Sequence, residues 1–138
     1  MKYLSLIFLV LASTAFSQVN VLRPIPVINA AAVASTVTGT PVHVIYLENV
    51  GIQYVWTGTP TCTIGVQVSN QTIPGSNPPA PVANSFTPLT LTGLSNPSGS
   101  AGSFWLDINQ TGAEWIEATY TSCSGSGTLS AYLSAKGL

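Results

Sequence analysis

Few side chains in this sequence could do chemistry, and their spacing argues against catalysis. The titratable set is short: one histidine, His43, the carboxylates Glu48, Asp107, Glu114 and Glu117, and the cysteines Cys62 and Cys123. Glycoside hydrolysis needs two carboxyl groups flanking one bond, and Asp107 with Glu117 is the pair to weigh. Both alternate with apolar neighbours and read as charges on the wet face of a strand, while Glu114 falls in a turn. A zinc site takes three or four His, Cys or carboxylate ligands, and no cluster of that spacing occurs. A nucleophile elbow and a phosphate-binding loop are also missing from the sequence. No reaction and no cofactor are expected, and His43 reads as a surface or internally satisfied strand residue.

The aromatic side chains say more. Trp105, Trp115 and Tyr132 alternate with apolar residues and point away from the expected core. Outward aromatics stack on sugar rings or anchor protein interfaces. A loop, the N-terminal segment or a second subunit could equally cover them, and a one-residue slip in register would turn each to the other face. Cys62 and Cys123 are the only cysteines. A disulfide between them would tie two loops at one end of the domain, and two free thiols or a redox pair are the alternatives. The Cys-x-x-Cys spacing of a redox pair is absent.

The elements that must position these residues are strands. Phe104, Leu106 and Ile108 alternate with Trp105 and Asp107. Ile116, Ala118 and Tyr120 alternate with Trp115, Glu117 and Thr119. Leu129, Ala131, Leu133 and Ala135 alternate with Ser130, Tyr132 and Ser134. Period two gives a strand one apolar and one wet face. With the Gly-rich stretch Ser122 to Gly127 as a hairpin connection, these three runs are expected to form a terminal meander. Ile52, Tyr54 and Trp56, then Ile64, Val66 and Val68, define two earlier strands, and a proline-rich stretch over 71–85 and a second, flexible stretch over 93–102 read as loops. The expected fold is all-β: a single antiparallel β-sandwich, jelly-roll-like, of seven to eight strands over 31–138. Pro24 and Pro26 make 18–30 an extended arm or sheet edge that packs on its own domain or on a neighbouring subunit.

Residues 1–17 read as a cleaved signal peptide, with Lys2, the apolar run Tyr3 to Leu11 and the site Ala15-Phe16-Ser17. That run is shorter than the roughly 20 residues needed to span a bilayer, so no membrane span is expected. Export would place the product in the periplasm, at the cell surface or outside the cell. Beyond residue 17 there remain Arg23 and Lys136 against Glu48, Asp107, Glu114 and Glu117, two positives less four negatives, a net charge of −2. Two cations cannot neutralise a phosphate backbone, so nucleic acid is not a partner. Asn70-Gln-Thr72 and Asn109-Gln-Thr111 match the glycosylation acceptor pattern, which matters only in a eukaryotic host.

Tyr46 to Pro60, Val66 to Ser69, Trp105 to Gln110, Trp115-Ile116, Tyr120-Thr121 and Ser124 to Lys136 together resemble a small β-sandwich module of tailed-phage virions. That module has a Trp-Thr-Gly turn, here Trp56-Thr57-Gly58, and ends in a Ser-Gly-Thr-Gly-Thr-Leu hairpin and a lysine. This chain reads Ser126 at the third hairpin position and ends the match at Lys136. The similarity runs from Tyr46 to Lys136 and is poor between Gln71 and Gly102. It implies a non-enzymatic decoration, fibre or attachment subunit that assembles with its own copies. The chain departs from the module in its export signal and in Cys62 and Cys123, which replace Gly or Thr. Both departures suit a phage-like module used by a bacterium outside the cytoplasm. The reading is therefore an exported, non-catalytic structural or adhesive protein that self-associates as a trimer or larger. The alternative is a carbohydrate-binding module that holds a cell-surface glycan on Trp105, Trp115 and Tyr132.

Overall fold

The computed structural model describes residues 21–109 and 111–137, so the signal peptide expected over 1–17 lies outside the described residues. The described chain is all strand and loop: β1 (Val21–Ala32), β2 (Thr36–Thr38), β3 (Val42–His43), β4 (Asn49–Trp56), β5 (Thr61–Ser69), β6 (Thr87–Pro88), β7 (Gly102–Asn109), β8 (Trp115–Ser124) and β9 (Thr128–Lys136). One antiparallel sheet has the order β1-β9-β4-β7 and the other β2-β8-β5-β6. The short β3 continues β2 along the same edge of β8, after a break at Gly39-Thr40-Pro41. Counted as one interrupted edge, β2 and β3 leave four strand positions in each sheet, in the order of a jelly roll.

Period two reads the faces of β4, β5, β7 and β9 correctly. Val50, Ile52, Tyr54, Ile64, Val66, Leu106, Ile108, Leu129 and Leu133 all enter the core between the sheets. The sheets are also joined by hydrogen bonds across that core. Tyr54 donates its hydroxyl to the Gly65 carbonyl of the other sheet at 2.6 Å, and Tyr120 donates in the opposite direction to Ser130 at 2.8 Å. Their rings meet edge-on, with centroids 5.4 Å apart. Desolvation in this core raises the pKa of both phenols well above the ordinary value, so they remain donors.

Two expectations are corrected, and the alternatives left open for the N-terminal segment are decided. The runs after Phe104 are not a meander, because β7 and β9 lie in the first sheet with β4 between them while β8 lies in the second. Each connection crosses the sandwich; alternation fixes a strand's faces but not its neighbours. The N-terminal segment is β1, an edge strand paired with β9 and extending to Ala32, so it packs on its own domain. The cysteines do form a disulfide, Cys62–Cys123, but it joins adjacent strands of one sheet rather than two loops. The β5–β8 register slips between Thr61 and Thr63, and Ser122 has a φ of 51°. That bulge reverses the alternation of β8, so Cys123 turns inward to meet Cys62, with the Cα atoms 4.2 Å apart.

At the same end of the sandwich the β4–β5 turn and the β8–β9 turn pack backbone to backbone. Thr59 donates its amide to the Ser126 carbonyl at 2.8 Å and Thr57 to Thr128 at 3.0 Å. Gly127 holds a φ of 131°, and a Cβ there would overlap the Thr57 carbonyl oxygen, so the contact requires glycine.

Candidate functional site

The outer face of the first sheet is open, and its register lines up side chains in rows. One row runs Trp105–Gln53–Tyr132–Pro26 across β7, β4, β9 and β1. The next is Asp107–Gly51–Ser134, followed by Asn109–Asn49–Lys136–Val21. Between Leu22 and Ile25 the pairing of β1 with β9 shifts, so both Arg23 and Pro24 lie opposite Ser134 and raise a wall along that edge. The result is a groove of about 630 Å³ whose lining includes Trp105, Gly51, Asp107, Ser134, Arg23 and Lys136.

The sequence places a glycine where this groove needs a floor. A Cβ on Gly51 would sit 2.9 Å from the Trp105 Cη2 and closer still to Cζ2, and 3.3 Å from the Ser134 hydroxyl. The indole therefore lies across Gly51, one face against the sheet and the other open, and Trp105 keeps 55% of its surface exposed. It is a flat aromatic platform bordered by acceptors on β7, the Asp107 carboxylate and the Asn109 amide, and by cations on the β9–β1 side. Such a surface can stack on the C–H face of a sugar ring and hydrogen-bond its hydroxyls. Tyr132 shares the face, half-buried, two strands from Trp105.

Trp115 does not join them. It lies on the outer face of the second sheet and is only 4% exposed, because the segment after β5 folds over it. The Trp115 indole donates to the Thr72 hydroxyl at 2.7 Å, and that hydroxyl donates in turn to Glu114. His43 stacks on the same indole at 4.6 Å and its Nε2 lies 3.2 Å from the Glu114 carboxylate. The Thr72 hydrogen bond, and then His43, hold the Glu114 carboxyl below its ordinary pKa against the opposing effect of desolvation. His43 is thus a satisfied strand residue, as expected. All three aromatics point away from the core as expected; Trp105 and Tyr132 lie on the open sheet, and Trp115 is covered by its own chain.

Glu117 is a further correction. It was expected on a wet face, but it is 7% exposed on the covered sheet, and burial raises its pKa. Asp107 sits on the outer face of the other sheet, so the two carboxylates considered for glycoside hydrolysis are separated by the whole sandwich. Among the described residues no three His, Cys, Asp or Glu side chains gather to hold a metal, and no helix is long and apolar enough to cross a membrane.

A second hollow of about 630 Å³ opens at the end of the sandwich away from the disulfide, lined by Ile45, Tyr46, Leu47, Glu48 and the loop before β8. Tyr46 is 78% exposed, and Ile45 and Ile73 in loops of that end are exposed too. Sequence reasoning missed Gly51, Arg23, Lys136 and this end cluster. Gly51 was detectable, since it occupies an outward position between Asn49 and Gln53. The bulge that aims Arg23 into the groove leaves no mark in the alternation. No protein-family model matches the chain and no curated protein matches it, so its task is argued from its own residues.

Proposed function

We propose that the protein is an exported, non-catalytic adhesive β-sandwich that holds a saccharide on the outer face of its four-stranded sheet. The observation that carries this reading is the Trp105 indole lying over Gly51 with one face open and polar groups around it. The core of a protein–protein interface is depleted of charge, whereas this face mixes one tryptophan with Asp107, Asn49, Ser134, Arg23 and Lys136. That mixture suits a hydroxylated ring better than an apolar partner. A disulfide and a polar surface of few charges fit an oxidising location outside the cytoplasm. The resemblance to virion modules supports an attachment role rather than an enzymatic one.

Self-association completes the reading. Ile45, Tyr46 and Ile73, three of the large exposed apolar residues, fall at one end of the sandwich, away from the middle of the saccharide face. That end borders the Asn109–Asn49–Lys136 row of the groove and lies two rows beyond Trp105, so contact through it would bring the platforms of neighbouring copies close together, where weak single sites add up by avidity. The test is a glycan-array screen of the oxidised protein beside its Trp105→Ala variant. Binding that disappears in the variant, with the fold unchanged by circular dichroism, is expected. Binding that survives the loss of Trp105 overturns the site, and a blank array overturns the saccharide reading.

A further inference from the structure

Beyond residue 17 the sequence has only two cationic side chains other than histidine, Arg23 and Lys136. They lie at opposite ends of the chain, yet both line the groove beside Trp105. The antiparallel pairing of β1 with β9 brings them together, since Val21 faces Lys136 and the bulge sets Arg23 against Ser134. Neither makes an ion pair among the described residues, where the one pair present is His43–Glu114 on the other sheet. Asp107 is the groove's only carboxylate, and it projects from β7 at the far side of β4. The groove is therefore polarised. Positive charge borders it along β9 and β1, negative charge along β7, and the aromatic platform lies between.

We infer that the ligand is an acidic saccharide, a sugar bearing a carboxylate as in a uronic acid; this rests on the saccharide reading proposed above. The sugar's apolar face stacks on Trp105, its carboxylate turns toward Arg23 and Lys136, and its hydroxyls donate to Asp107 and Asn109. A guanidinium offers a carboxylate paired donors in a fixed fork and Lys136 adds a second charge, so the anion is held from two directions. Asp107 accepts from hydroxyls and repels a carboxylate, so it also sets which way round the ring lies. A chain with a net negative charge gains nothing for anion capture from its overall field. The local pair must supply the attraction, and it stands in the groove that holds the open Trp105.

The test titrates uronate trisaccharides (galacturonate, mannuronate and guluronate) and their methyl esters into the oxidised protein by calorimetry, following the Trp105 indole N–H by NMR. The esters keep ring, hydroxyls and stacking face but remove the charge. At least one free acid is expected to bind about tenfold tighter than its ester, with the advantage shrinking as salt rises. Arg23→Gln and Lys136→Gln, both on exposed side chains, each lower affinity for the acid about threefold to fivefold and lower that for the ester by less. Asp107→Asn raises affinity for the acid and does not raise it for the ester. Equal binding of acid and ester overturns this inference while leaving the Trp105 platform intact. Binding of neither, with a native indole spectrum, overturns both.

Discussion

Gly51 and Trp105 are opposite one another only diagonally in the sheet, and each explains the other: the indole needs a residue without a side chain beneath it. Gly51→Leu should therefore push the indole off the sheet and lower saccharide affinity more than tenfold. The indole is at the surface, so the change in stability should stay near 1 kcal/mol; calorimetry beside a urea melt separates the two effects. Two carboxylates on the other sheet give opposite pH effects. Glu114 has its pKa lowered below 4.5, so its contribution to stability is complete above 4.5 and disappears as pH falls through its folded value. Glu117 has its pKa raised above 4.5, so its burial destabilises the fold at neutral pH, and that penalty disappears as pH falls toward 4.5. Stability should rise on acidification toward 4.5 and fall beneath it. Melts across this range should lose the rise in Glu117→Gln and weaken the fall in Glu114→Gln. At this scale the sequence displays Trp105 and Tyr132 as outward residues, because alternation is a property of the strand alone. It conceals the burial of Trp115, which the loop after β5 causes, and that of Glu117, and no periodicity encodes either.

The strands follow the apolar pattern closely, and what the pattern omits is how they are tied together. Two tyrosines span the core to the backbone of the facing sheet, and removing one hydroxyl leaves a buried carbonyl without its partner. Tyr54→Phe should cost about 1–3 kcal/mol, read as a lower urea midpoint at constant slope. The cystine works at a different link. It closes a separation of 61 residues, which by chain entropy stabilises by about 4 kcal/mol through the unfolded state. The double variant Cys62→Ser with Cys123→Ser should lose an amount of that order in the same melt, and retention of full stability would show that the native sheet alone fixes β5 to β8. Pairing was expected from the cysteine count. The strand-to-strand geometry was not, because one bulge at Ser122 inverts the alternation, and a bulge is a decision of the β5–β8 ladder rather than of either strand's composition. The crossing of β7, β8 and β9 between sheets escaped for the same reason: hydrogen-bond neighbours are chosen by the whole sandwich.

At the scale of the molecule, the two sheets have unlike fates: one outer face is roofed by the chain's own loop, and the other stays open around Trp105. On the proposed function the open face supplies recognition, and a single shallow groove on one domain would hold a sugar weakly, because few of the ligand's atoms would be buried. Adhesion at useful strength then requires several copies, and the chain has a surface suited to that. Tyr46 projects from the turn after β3 beside Ile45, with Ile73 in another loop of the same end, and the low net charge opposes association only slightly. Light scattering of the oxidised protein from residue 18 onward should give a trimer or larger species of defined mass. Tyr46→Ser, at an exposed position with a φ of 69° that neither residue favours, removes apolar contact and leaves the backbone strain as it was; Ile45→Ser, next to it, removes apolar contact at an ordinary backbone position. Both should dissociate the assembly. The affinity of each site for soluble sugar should be unchanged, while binding to a glycan-coated surface falls by about a hundredfold as avidity is lost. A monomer at high concentration, bound to that surface as tightly as to soluble sugar, would overturn self-association and leave the groove to act alone.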